Sequence, residues 1–301
     1  MDAGMRMSKL ADAVGNVGNL SGLGYAETRK RLLETVTAIA RDSLEAYRPF
    51  LNESRIQSIA EPMEDGKRLP AGYRKKVNPM FVTRARSCRE LGSPFETSVV
   101  RSVRAMEEYL SVFEDSKTDP VLLVRSVDST RMAGMLETIL SNYAEAKDEL
   151  DSFINGEKDE DPDREFRNIA SIFNHVFETV YRKVSDFLSA YLGIFDGNAG
   201  RVYNLLEKML AADRTVISNG FRSDVRAVRN AVSHSIFERK GDGYRLHDDP
   251  GKYSREFTAE ELHIFAVRCL EKSAIVLDMV VAMMSMTLYH LLVTAYRGAE
   301  Q

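Results

Sequence analysis

Arg229, Asn230 and His234 lie within six residues of one another and combine three groups suited to chemistry on an oxyanion. An imidazole titrates near pH 6.5, so it takes up and returns a proton close to neutrality. A guanidinium stays charged and offers a fork of donors to non-bridging oxygens. A carboxamide can orient the ring or hold a further oxygen. The stretch carrying them, Phe221 to Phe237, reads as a helix: Val225, Val228, Val232 and Ile236 recur at helical spacing, Asn219-Gly220 breaks the chain before it, and Ser223 or Asp224 supplies a cap. At about 100° per residue, Asn230 and His234 sit one turn apart on the face opposite that stripe, with Arg226 a turn earlier and Arg229 and Ser233 on the shoulder.

An arginine, a polar neighbour and a histidine after a short gap resemble the signature of the HEPN family (higher eukaryotes and prokaryotes nucleotide-binding). Arg167-Asn168 followed by His175 is a near copy with one residue too many between. Only the later copy is followed by the order of elements that family members share, a polar hairpin and then a long apolar helix. Here Glu238 to Asp249 holds Gly241 and Gly243, Pro250 follows as a turn signal, Tyr253 to Phe257 suits a short strand, and Thr258 opens the last helix. The resemblance covers residues 163–301 and leaves the first half unmatched.

What this resemblance implies is a metal-independent endoribonuclease of the toxin or antiviral-defence type, with RNA as substrate, no cofactor and no metal. Arg229, Asn230 and His234 would be catalytic and Arg226 would contact RNA. RNA carries its own nucleophile, the 2'-hydroxyl, so the protein need only move protons and stabilise the phosphorane. The resemblance further implies a homodimer through the motif helix and an antitoxin or regulatory partner. Some relatives are noncatalytic, so an adaptor that only dimerises or holds a nucleotide or RNA is the competing reading.

The 301 residues carry a net charge of -4 with 29% charged and 44% apolar residues, which argues against nonspecific coating of nucleic acid. Cys88 and Cys269 are far apart and suggest no disulfide framework. The glycine-punctuated first 24 residues read as a small-residue leader and not as a signal peptide, so a cytoplasmic protein is expected. Single histidines without motif context, His175, His247, His263 and His290, read as structural.

The expected fold is all-α, with an N-terminal helical domain at 1–154 and a HEPN-like bundle at 163–301, a short hairpin preceding its last helix. Tyr25 to Tyr47, Ser93 to Phe113 and Ser129 to Phe153 are the amphipathic helices of the first half, and Pro120 to Val124 suits a helical turn or a short strand. Glu61 to Pro79, with three prolines and two glycines, reads as a long loop. From Lys67 to Arg104 the chain is basic, and Arg74, Lys75 and Lys76 could hold RNA phosphates with Tyr73 or Phe81 stacking a base, but the run reads more readily as a solvated loop with helix faces pairing acids elsewhere. The acidic run from Asn155 to Glu165 is the linker, and its Asp159, Asp161 and Asp163 imitate a calcium loop but lack the glycine and glutamate such a loop needs. Glu165 to Leu192 and Arg201 to Ile217 are the first helices of the second half. The last helix starts with a capping box, Thr258 and Glu261, and its stretch from Ala274 to Tyr296 is apolar nearly all round. Asp278 and His290 inside that stretch favour a buried core helix or dimer seam over a membrane span.

Overall fold

A computed structural model describes residues 3–17, 20, 22–88, 92–115, 119–125, 127–156, 159–211, 225–234, 237–247 and 254–297. The architecture is all-α with one small sheet, arranged around the final helix, α12 (Ala259–Arg297). Because the second half of this helix, from Ala274 on, is apolar nearly all round, it satisfies its surface only when wrapped by other elements. Every residue from 279 to 289 is buried. By length and composition Ala259–Thr294 could cross a bilayer, but 83% of its most apolar window is buried inside the protein. Asp278 accepts a hydrogen bond from the Tyr47 hydroxyl at 3.1 Å, and His290 stacks on Tyr73 with ring centroids 5.6 Å apart.

In the first half, α1 (Ala3–Val17) packs on α2 (Tyr25–Tyr47) and α7 (Ser129–Asn155). The expected leader is therefore a helix, and Leu10, Ala11 and Val14 are its buried stripe. The expected loop at 61–79 is also corrected: α3 (Glu53–Glu64) and α4 (Tyr73–Ser87) take up most of it, leaving only 65–72 as connection. Pro62 falls at the last turn of α3. Pro79 sits inside α4, where the carbonyl it cannot serve belongs to Lys75, an exposed residue. Next come α5 (Gly92–Asp115) and α6 (Pro120–Val124), the latter a helical turn; α2, α4 and α5 all lie against α12.

The second half opens with α8 (Pro162–His175), capped by Asp161, whose carboxylate accepts the Asp163 amide at 3.0 Å. It runs without a break through a wide π turn, Val176–Tyr181, into α9 (Arg182–Asp196). Gly197 ends the rod at φ 61°, a conformation that favours glycine. After the Asn198 cap, α10 (Ala199–Leu206) passes into a second π turn, Glu207–Ala211. The motif helix, α11 (Val225–Ser233), packs on α8. It ends four residues before the expected Phe237, which instead opens β1 (Phe237–Lys240). Residues 221–224, Ile236 and the Arg226 side chain lie outside the described ones.

β1, β2 (Gly243–His247) and β3 (Ser254–Phe257) form an antiparallel meander. Gly241 turns the first hairpin at φ 62°, and a side chain at Gly243 would meet the Phe257 carbonyl at 3.1 Å. One face of the sheet carries Tyr244, Leu246 and Phe257 inward, with Tyr244 stacked 4.0 Å from Phe166 of α8. The capping box forms as expected: Glu261 accepts the Thr258 amide at 2.9 Å and Thr258 accepts the Glu261 amide at 3.1 Å. The acidic run at 155–162 separates α7 from α8 in the chain, yet one buried cluster runs from Leu10 to Val293, because α12 contributes to the cores of both halves.

Candidate functional site

The motif helix is held by its apolar stripe. Val225, Val228, Ala231 and Val232 are buried against α8 and β2, each fully buried valine contributing about 1.5 to 3 kcal/mol. That docking sets where the polar residues point. Arg229, on the shoulder, reaches the rod formed by α8 and α9: its Nε donates to Glu178 Oε1 at 2.7 Å, its Nη2 joins the same oxygen, and Nη1 donates to Asn230 Oδ1 at 3.0 Å. The guanidinium also lies over the Phe177 ring, 5.7 Å from its centroid. Glu178 takes a further hydrogen bond on Oε2 from Arg182 Nη1 at 3.0 Å. Partial burial would raise the Glu178 pKa, but the hydrogen bonds from Arg182 and Arg229 outweigh it and hold the carboxyl below its ordinary 4.5.

Asn230 is half-buried and its side-chain oxygen serves Arg229, not the imidazole. His234 follows the last helical residue, its amide donating to the Asn230 carbonyl at 3.1 Å, and it is exposed. Ser233 is tied to α8 through a 2.7 Å hydrogen bond from its hydroxyl to Asn174 Oδ1. The braced guanidinium stands at the edge of an open cleft of about 470 Å³, which Arg229, Arg182 and Glu178 help to line, while the exposed His234 lies five residues further along the chain and is not among the residues lining it. The π turn carries Phe177, Glu178 and Tyr181 to this cleft, and single π turns within α-helices recur at functional sites.

Glu178 and Arg182 were the residues sequence reasoning missed. Their i,i+4 spacing was visible, but the partner that gives them meaning is 51 residues away from Glu178. Arg226 belongs to α11, and its side chain is outside the described ones.

The basic stretch stands apart from the motif. Tyr73 contacts Thr287 on α12 at 2.9 Å, while the neighbourhood of α11 reaches α12 through Phe173 and Phe265, roughly 30 Å away at 1.5 Å per residue. Four of its charges are paired with acids: Arg74 with Glu114 at 2.7 Å, Lys67 with Asp65 at 2.6 Å, Arg84 with Glu271 at 3.2 Å and Arg86 with Glu96 at 2.7 Å. Lys76 reaches only the Ser58 hydroxyl at 3.4 Å, and Lys75 is exposed. Tyr73 and Phe81 are buried in the core, so neither can stack a base.

The acidic imitation of a calcium loop is used otherwise. Asp159 pairs with Arg164, Asp161 caps α8, and Asp163 accepts from the Tyr244 hydroxyl and from Arg239. Among the described residues no group of three His, Cys, Asp or Glu side chains is placed to share a metal ion. Three of the other histidines have structural contacts: His175 with Glu149 at 2.7 Å, His263 with the Leu150 carbonyl at 3.1 Å, and His290 with Tyr73. No family model, curated protein or solved structure matches this chain.

Proposed function

We propose that the chain is a metal-independent endoribonuclease of the toxin or antiviral-defence type, acting in the cytoplasm as a homodimer. The observation that carries this reading is the Arg229 guanidinium, braced by Glu178 and Asn230 at the edge of a cleft, with the exposed His234 five residues further along the same segment. Such a pair suits transesterification of RNA. His234 takes the proton of the 2'-hydroxyl as its oxygen attacks the adjacent phosphorus, the bond to the 5'-oxygen breaks, and the proton is returned to that leaving oxygen. Arg229 offers N–H donors to the phosphorane oxygens. The products are a 2',3'-cyclic phosphate and a 5'-hydroxyl. Two such stripes facing one another across a two-fold axis would make one cleft, with Arg226 adding charge, and an antitoxin or regulatory partner would cover it.

The noncatalytic adaptor is favoured by one specific observation: Glu178 already engages Arg229 through two nitrogens, so a phosphate must displace or share that carboxylate. The deciding experiment incubates purified protein with total RNA and transfer RNA in EDTA. Cleavage that needs His234, in a protein that light scattering finds dimeric, supports the nuclease; binding without cleavage supports the adaptor.

A further inference from the structure

The cleft beside Arg229 is larger than a phosphate needs. Its volume of about 470 Å³ lies within the range of roughly 300–1,000 Å³ found for small-molecule pockets. The wall from α9 gives Arg182, Ser185, Asp186 and Ser189, and the wall from α10 gives Tyr203, with Glu207 just beyond it. Tyr203 is 58% exposed, because Val202, Leu205 and Leu206 take the buried face of the same helix. Its ring therefore has no part in the core and stands at the cleft as an open aromatic surface.

Electrostatics decide what such a surface would receive. Two arginines, Arg182 and Arg229, line the cleft with three carboxylates, Glu178, Asp186 and Glu207, so the cleft as a whole does not suit a run of phosphates. One phosphate at the arginine end and one uncharged ring beyond it fit better. Carboxylates only accept hydrogen bonds, which selects for a ring edge rich in N–H groups. Guanine presents N1–H and the 2-amino group side by side, matched to the two oxygens of one carboxylate. Uracil presents a single N–H between two carbonyl oxygens, which the same carboxylates would repel.

We propose that this cleft is a subsite for an unpaired guanine base: the base stacks on Tyr203, donates from N1–H and N2–H to Asp186 or Glu207, and its phosphate lies at Arg229 and Arg182. The phosphate placement rests on the nuclease reading above, and with it the substrate becomes single-stranded RNA cut next to guanine.

The test uses binding, so that it is separate from cleavage. Guanosine 3'-monophosphate and uridine 3'-monophosphate are titrated into the full chain in EDTA by calorimetry. The guanosine nucleotide binds at least tenfold more tightly; Tyr203→Ala lowers its affinity about tenfold to a hundredfold, the range for removal of one base–aromatic stack, and Tyr203→Phe restores it. The double variant Asp186→Asn, Glu207→Gln brings the two nucleotides to similar affinity. Equal binding by the parent, no binding of the guanosine nucleotide, or an unchanged affinity in Tyr203→Ala overturns the subsite. Guanosine nucleotide binding by a chain that cuts no RNA would leave the subsite standing and remove the nuclease, whereas cleavage without this binding would remove the subsite alone.

Discussion

Glu178 and Arg229 meet across the junction of two elements, Oε1 lying 2.7 Å from Nε, and the same carboxylate also holds Arg182 at 3.0 Å. One acid thus fixes two cations at the mouth of the cleft.

This carboxylate gives the first prediction. Its folded pKa is below the ordinary 4.5, so its ion pairs stabilise the fold above that value and are lost as pH falls through the lower folded one. Glu178→Gln should melt below the parent at pH 7, with the gap closing as pH falls below 4.5 and through the lower folded value. Both partners are part-exposed, so the effect is small, and thermal melts across pH measure it.

His234→Ala and Arg229→Ala should behave differently in stability although both remove cleavage. Loss of proton transfer at His234 lowers the rate about a hundredfold to ten-thousandfold, and an exposed position changes stability by less than about 0.5 kcal/mol. Arg229→Ala should reduce the rate by a similar order. It also strips an ion pair and the stacking over Phe177, so it should cost about 1 kcal/mol more than the histidine variant. Parallel cleavage assays and melts separate the two.

Reversal of Lys75 and Lys76 to glutamate should weaken binding of long RNA and lower its salt slope, by about 0.7 for each single-strand phosphate that is no longer neutralised. The roughly 30 Å to the motif end of α12 means that a dinucleotide confined to the cleft should bind as before. Arg74 is left out of this pair because its guanidinium already serves Glu114, and reversing it would place two carboxylates together. Filter binding at several salt concentrations with RNA of two lengths reads both effects.

His290 supplies a pH-dependent test of the core. Burial disfavours its charged form and, with Arg68 and Arg74 adding to it against the opposing pull of Glu114, keeps its pKa below 6.5. The unfolded chain therefore takes up this proton first, and stability should fall as pH drops from about 6.5 towards the folded value. His290→Phe keeps a ring against Tyr73 and should show a flatter melting profile between pH 7 and 5.

Much of this fold could be read locally. The Thr258 and Glu261 cap, the turn at Gly241 and the apolar stripes depend on neighbours in the chain, and each lies where spacing puts it. What escaped reading depends on distant partners. The helical reading runs on past Ile236 to Phe237, but Phe166 and Tyr244 draw Phe237 into a strand, with ring centroids 5.3 and 6.1 Å away. Pro62 and Pro79 signal a loop wherever the chain is judged alone, yet both are carried in helices, the first packed on α2 and α4 and the second on α5 and α12. In the motif, the types and spacing of Arg229, Asn230 and His234 were legible; the pairing of Arg229 with Glu178 was not, since a π turn shifts the phase of the rod at that point. That the basic run from Lys67 to Arg104 pairs with acids elsewhere could be expected, but which acids, Glu114 and Glu271 among them, could not, since they lie outside it.

The position of α12 also orders events in time. Synthesis reaches residue 259 only after α2, α4, α5 and α8 have emerged, and each of these keeps an apolar face that α12 covers. A nascent chain short of this point would offer those faces to chaperones and proteases. Its α11 would have only a loosely held α8 to dock on. Assembly of the cleft is thereby deferred until α12 has been made, and a chain interrupted before it would lack the helix on which both halves pack.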